Sequence, residues 1–172
     1  KIVNIALSSG GTIKGVVKVR EGSLSGRIFV NAYSETLLQG KGEPLRFSPG
    51  ADSATFEIKG LPPAEDYRVN VLSDVYGAKF YKEGTSGTRD WNDATVITVS
   101  AGQTSDLTQY PIVLSKGASI SGKVYKDSSK TTVARSGWVQ AMNPEKGEYQ
   151  GTNIKTDGSY EIKGLTDGEL YT

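Results

Sequence analysis

The chain of 172 residues contains no cysteine and no histidine. Disulfides, zinc sites built from these residues, and catalysis that depends on a histidine or a thiolate are therefore excluded. The formal net charge is only +1, and the lysines and arginines are scattered, so we expect neither nucleic acid nor an anionic membrane as a partner. No stretch approaches the roughly 20 apolar residues needed to span a bilayer. The sequence thus predicts no cofactor and no membrane span.

What the chain does contain points to strands and tight turns. It has 21 glycines and nine tyrosines, with many serines, threonines and valines. Apolar and polar residues alternate along several segments of five to eight residues, whereas helical periodicity extends over no more than one turn, best placed at 90–94. The residues predicted to face a core are Ile13, Gly15, Val17, Val19, Ile28, Val30, Ala32, Phe56, Ile58, Tyr67, Val69, Val71, Ile97, Val99, Ile112 and Leu114. The pattern predicts an all-β fold, an antiparallel sandwich.

Three phrases occur twice along the chain, about 107 residues apart. LSSGGTIKGVV at 7–17 aligns with LSKGASISGKV at 114–124, and VNAY at 30–33 aligns with VQAM at 139–142. FEIKGLPPAEDY at 56–67 returns as YEIKGLTDGELY at 160–171. This period is far longer than the roughly 20–50 residues of a solenoid repeat. The sequence therefore predicts tandem modules, each with a core of its own.

The repeat also predicts domain boundaries. Residues 1–9 match the last strand of a module, so we expect them to be the end of a preceding copy; 10–115 form a complete module, and 116–172 form part of a second. Two interpretations of that second module remain open. The chain is a fragment of a longer array, which we favour, or strands from a neighbouring subunit complete the module and build a filament.

The combined pattern resembles the carboxypeptidase regulatory-like modules of bacterial surface and secreted proteins. The residues that carry the resemblance in the second module are Ile120, Gly122, Val124, Val139, Ala141, Thr156, Asp157, Gly158, Tyr160, Ile162, Gly164, Leu165 and Tyr171. The first module matches at most of the equivalent positions but lacks the Thr-Asp-Gly turn that the sequence predicts at 156–160. The resemblance implies tandem antiparallel Greek-key β-sandwich modules, transthyretin-like or immunoglobulin-like, at the cell surface or outside the cell.

A second resemblance is to the collagen-adhesin B-type modules of Gram-positive pili. Those modules carry an isopeptide bond between a strand lysine and an asparagine or aspartate of the last strand, next to a buried carboxylate. Lys18 and Glu57 are the candidates for the lysine and the carboxylate. The last strand, YPIVLS, offers no partner, so we expect both side chains to be solvated.

The segment DVYGAKFYKEGTSGTRDWND holds the one tight cluster of aromatic and acidic residues. Tyr76, Tyr81, Asp90, Trp91 and Asp93 are the candidate ligand-binding residues, since exposed rings could stack on sugars while carboxylates give directional hydrogen bonds. The favoured alternative has Asp90 capping a turn and Trp91 covering the edge of the core. No Asp-x-Asp-x-Asp-Gly loop gathers the aspartates for calcium, so we predict no metal.

Together these observations predict a non-catalytic extracellular structural or adhesive repeat module, part of a surface stalk or fibre. Its expected partners are neighbouring modules or subunits of the same protein. The alternative function is a carbohydrate-binding accessory module of a secreted enzyme, with polysaccharide as the partner. A filament subunit completed by strands of its neighbour is a further alternative.

Overall fold

The computed structural model describes residues 9–145 and 148–172. They divide into two compact units. The first unit comprises 9–72 and 78–114, and the second comprises 73–77 and 115–172. The division after Leu114 lies one residue from the predicted boundary, but the short segment Ser73–Gly77 groups with the second unit, which the sequence did not indicate. The strand predicted at 1–9 lies, except for Ser9, outside the described residues.

All secondary structure in the described residues is β, so the predicted fold class is confirmed. Strands of the first unit are β1 (Gly11–Val19), β2 (Ile28–Ser34), β3 (Gln39–Pro44), β4 (Ser53–Leu61), β5 (Ala64–Ser73), β6 (Lys79–Phe80), β7 (Ile97–Val99), β8 (Thr104–Asp106) and β9 (Ile112–Leu114). Strands of the second unit are β10 (Ala118–Lys123), β11 (Trp138–Asn143), β12 (Glu148–Asn153) and β13 (Ser159–Leu165).

The first unit is a sandwich of two sheets. One sheet has the order β4-β1-β8, with β9 also paired to β1; the other has the order β3-β2-β5-β6, with β7 also paired to β5. Most strand pairs in the described residues are antiparallel, as predicted, but β8 and β9 run parallel to β1 and occupy successive halves of its edge. A parallel neighbour needs a long connection, and here most of the first unit separates β1 from β8 in the sequence.

The core of the first unit is formed by strands in which buried and outward-facing residues alternate. On β1 the odd-numbered residues are buried, while Lys14 and Lys18 face outward. The same period of two on β2, β4 and β5 directs one side of each strand inward. Every residue predicted to face the core of this unit is buried. Burial of this apolar area is what stabilises the unit.

The second unit has a smaller core. Its described strands form two antiparallel pairs, β10 with β13 and β11 with β12. Ala141, Ile162 and Leu165 are buried together, and the partly buried Val139 and Tyr171 pack against them. Backbone pairing between Tyr76 and Lys116 joins the segment 73–77 to this unit.

The predicted Asp-Gly turn at 156–160 is present. Gly158 has a φ of 80°, in the left-handed region that glycine adopts without strain, and its N–H donates to the carbonyl of Lys155 at 2.9 Å. The Asp157 carboxylate accepts from the N–H and the hydroxyl of Ser159. These hydrogen bonds, the hydroxyl first, lower the pKa of Asp157. The turn thus leads directly into β13.

Candidate functional site

The aromatic residues of the predicted cluster do not share one surface. Tyr76 and Tyr81 are buried, so their rings are enclosed by protein and are not open to a ligand. Burial also raises the pKa of Tyr81. Only Trp91 among the predicted rings is partly exposed, and Asp90 and Asp93 are exposed beside it. The candidate site therefore reduces to Trp91 and its surroundings.

Trp91 lies against the outer face of the sheet that contains β2, β5 and β6. Its ring centroid is 5.6 Å from that of Phe80, edge to face, and 6.0 Å from that of Tyr33. The guanidinium carbon of Arg68 lies 4.9 Å from the centroid of the Trp91 ring, within the range of a cation–π interaction. Two aromatic contacts and a stacked cation thus hold the indole on the sheet.

Glu35 fixes both Trp91 and Arg68. One carboxylate oxygen accepts from the indole N–H at 3.0 Å, and the other accepts from an Nη of Arg68 at 3.4 Å. The Nε of Arg68 is buried and has no hydrogen-bond partner within the described part of the chain. The indole N–H and one face of its ring are therefore already engaged, and Trp91 covers part of the outer face of this sheet.

The acidic residues beside Trp91 serve the turn that carries it. Asp90 accepts from the N–H of Asn92 at 2.8 Å, and the N–H of Asp93 donates to the carbonyl of Asp90 at 3.2 Å. Asp93 also pairs with Lys82, and the hydrogen bond from that lysine lowers the pKa of Asp93. A general acid needs a raised pKa. Asp93 is thus suited to pairing with Lys82 and unsuited to proton donation.

Lys18 and Glu57, the candidates for an isopeptide bond, are half exposed. Lys18 pairs with Asp52 at 3.6 Å, and Glu57 pairs with Lys59 at 3.0 Å. Each thus has a partner other than the one an isopeptide bond would require. As for metals, the described residues hold no group of three or more acidic side chains arranged for an ion. None of them forms a helix long and apolar enough to cross a membrane.

Sequence reasoning missed an exposed aromatic face on β11 and β12. The register pairs Trp138 with Asn153, Gln140 with Gly151, and Met142 with Tyr149, so these six residues share one side of the hairpin. We call this side the β11–β12 outer face. Trp138 is 60% exposed and Tyr149 is 71% exposed.

The missing information was the position of β12. The alternation of Trp138, Gln140 and Met142 is visible in the sequence, but no strand was predicted over 148–153. That segment contains few residues that favour strands strongly. Without its register, Tyr149 could not be placed beside Met142.

No protein-family model matches the chain, and no curated protein is similar to it. A solved structure of a leucine-rich repeat protein from Bacteroides thetaiotaomicron aligns with 96% of this chain at 15% identity and a TM-score of 0.32. The alignment covers 21% of that protein, about a fifth of its length. A likeness this weak carries no argument about fold or function.

Proposed function

We propose that the chain consists of copies of one β-sandwich module and is a non-catalytic structural and adhesive part of an extracellular stalk or fibre. The observation that carries the proposal is a strand pair that recurs in the same register. Ile13 lies opposite Ile58 in the first unit, and Ile120 lies opposite Ile162 in the second. These residues occupy equivalent places in the repeated phrases of the sequence.

A second recurrence involves glycine and an aromatic ring. Gly15 lies opposite Phe56, and Gly122 lies opposite Tyr160. In both pairs the ring lies where a β-carbon on the glycine would be, so any larger residue would displace it. The same device in both units supports a common module rather than two unrelated domains.

The tyrosine after each repeated phrase makes an equivalent contact. The hydroxyl of Tyr67 donates to the carbonyl of Pro62 at 3.0 Å, and the hydroxyl of Tyr171 accepts from the N–H of Thr166 at 2.9 Å. Each tyrosine thereby ties the chain to a residue five positions earlier, much as the tyrosine corner does in immunoglobulin-like sandwiches. Each copy of the module thus carries its own fixing hydrogen bond, which supports a chain built from repeated copies.

Surface display can be tested on intact cells that make the protein. We expect brief trypsin treatment to release peptides from 10–115. A cytosolic protein from the same cells serves as the control and should stay uncut. Release of these peptides only after lysis would contradict the proposal.

Carbohydrate binding is the second candidate function, and the β11–β12 outer face favours it. An exposed tryptophan and an exposed tyrosine on one flat strand pair are unusual where no partner is bound. Flat aromatic surfaces bordered by amides suit sugar rings, which have apolar faces and polar rims. This role is compatible with a stalk, since a displayed module can also adhere.

A further inference from the structure

Trp138 lies flat on the β11–β12 outer face. Its indole crosses the hairpin diagonally and occupies the space directly above Gly151, where a β-carbon would collide with the ring. One side of the ring therefore rests on the backbone. Because the residue is 60% exposed, the opposite side of the ring is open to solvent.

The second exposed ring lies at the other end of the same face. Tyr149 pairs with Met142, which is four residues along β11 from Trp138. The indole, however, lies above Gly151, two residues from Tyr149 on β12, so at about 3.4 Å per residue it is roughly 7 Å along the hairpin from the Tyr149 position. Two aromatic residues side by side at this spacing can each contact a different ring of one sugar chain.

The polar side chains of this face carry no charge. Gln140 lies between Trp138 and Met142 on β11, Asn153 lies opposite Trp138, and both amides are exposed. Each amide can donate and accept hydrogen bonds. No lysine, arginine, aspartate or glutamate is among the six residues of the face. A neutral ligand with many hydroxyl groups matches these features, whereas an anionic chain would find no cation on it.

We propose that the β11–β12 outer face binds a neutral polysaccharide. Trp138 and Tyr149 stack on the apolar faces of two sugar rings of one chain, while the amide of Gln140 beside the rings and that of Asn153 at the Trp138 end hydrogen-bond to hydroxyl groups of the same chain. This proposal rests on the second candidate function and adds to it the ligand class and the residues.

The test is affinity electrophoresis of the intact chain in native gels. Separate gels contain a mixed-linkage β-glucan, a mannan, a xyloglucan, amylopectin, or the anionic control polygalacturonate. We expect at least one neutral polysaccharide to retard the wild-type chain. Trp138→Ala should weaken that binding about tenfold or more, and Tyr149→Ala should weaken it by a smaller factor.

The matched control is Phe29→Ala. Phe29 occupies the position on β2 that Trp138 occupies on β11, and it is also partly exposed. This variant should bind like the wild type. Because Trp138 and Tyr149 are highly exposed, their variants should fold, and an unchanged urea midpoint will verify this.

The outcomes separate the site from the function. Retardation that persists unchanged in Trp138→Ala would overturn the site and leave carbohydrate binding in place. Retardation by polygalacturonate alone would overturn the neutral ligand class. If no polysaccharide retards the chain, both the site and the second candidate function fall. Self-association in sedimentation velocity that Trp138→Ala abolishes would instead assign the face to a second copy of the chain.

Discussion

The outer faces of β2 and β11 begin from the same pattern and end differently. Both strands carry an aromatic residue at the first outward position, Phe29 on β2 and Trp138 on β11. In the first unit, Trp91 packs on the neighbouring Tyr33 and covers part of the face. At the equivalent place on β11, Met142 is 45% exposed. The same strand pattern therefore presents a covered residue in the first unit and a partly exposed one in the described part of the second.

The two units also differ in how deeply equivalent core residues are buried. Ile13 is fully buried, whereas its equivalent Ile120 is 40% exposed. In the first unit, β8 and β9 pair with the edge of β1 that faces away from β4, and Ile112 and Leu114 of β9 are themselves buried. Among the described residues, β10 pairs with β13 alone. The repeated phrase therefore specifies a strand pair, and the remainder of a module determines how deeply that pair is buried.

The largest expected effect comes from the isoleucine pair. Ile13→Ala should lower the unfolding free energy of the first unit by about 2–5 kcal/mol, since it leaves a cavity in a closed core. Ile120→Ala should cost the second unit about 1 kcal/mol or less, since that side chain is already half in water. The two tryptophans allow each unit to be followed separately by urea denaturation and fluorescence, Trp91 in the first and Trp138 in the second.

Single-tryptophan chains, in which Trp138→Phe or Trp91→Phe removes the other signal, assign each transition to its unit. Equal losses of unfolding free energy from Ile13→Ala and Ile120→Ala would contradict this expectation. They would mean that Ile120 is as fully enclosed as Ile13 in solution.

The tryptophans themselves should give the next largest difference. Trp91→Ala should destabilise the first unit by about 2 kcal/mol, because it removes two aromatic contacts, the stacked guanidinium of Arg68 and a hydrogen bond to Glu35. Trp138→Ala should change stability by no more than about 0.5 kcal/mol. Thermal unfolding followed by circular dichroism measures both.

The control for this pair is Glu35→Gln, which keeps an oxygen acceptor for the indole N–H and removes the charge beside Arg68. Glu35→Gln should lower the stability of the first unit by less than Trp91→Ala does. A large loss from Trp138→Ala would show that this ring stabilises the fold and is not merely displayed.

The smallest expected effect concerns acid stability. The hydroxyl and N–H of Thr108, and then Lys14 on β1, lower the pKa of Asp106 to about 2 from its usual 3.8. A carboxylate with a depressed folded pKa stabilises the fold above pH 3.8, and that contribution is lost as the pH falls towards 2. The group is exposed, so the effect is small.

Urea midpoints of the wild type and Asp106→Asn, measured in single-tryptophan chains at pH 7 and pH 2, test this expectation. The midpoints should differ at pH 7 and converge at pH 2. Asp127→Asn provides the matched change in the second unit, where hydrogen bonds from Ser129 and the 131–132 backbone keep the pKa of Asp127 well below its usual value. A gap between wild type and Asp106→Asn that stays constant with pH would refute the pKa argument.

The sequence predicts the local pattern of this fold well and its long-range pairings poorly. Alternation identified the buried side of β1, β2, β4 and β5, because a period of two follows from strand geometry alone. The parallel pairing of β9 with β1 depends on where the chain returns after most of the first unit, and no local signal encodes that return. The prediction of an antiparallel sandwich therefore did not include this parallel pair of strands.

The candidate site shows the same limit. Tyr76, Tyr81 and Trp91 are close in sequence, yet two are buried and only one reaches the surface. Aromatic residues near one another in the chain share a face only if the strand register brings them there. Trp138 and Tyr149 do share a face, and only the pairing of β11 with β12 reveals it.

The parallel pairing of β9 with β1 has a mechanical consequence. The chain leaves β9 at Leu114 and continues into the second unit, and β9 lies alongside β1 with Val17 opposite Ile112. Tension applied ahead of Gly11 and behind Leu114 would draw these parallel neighbours in opposite directions along their length. Their hydrogen bonds would then be strained in shear and would have to break together, whereas a perpendicular pull would open them one after another.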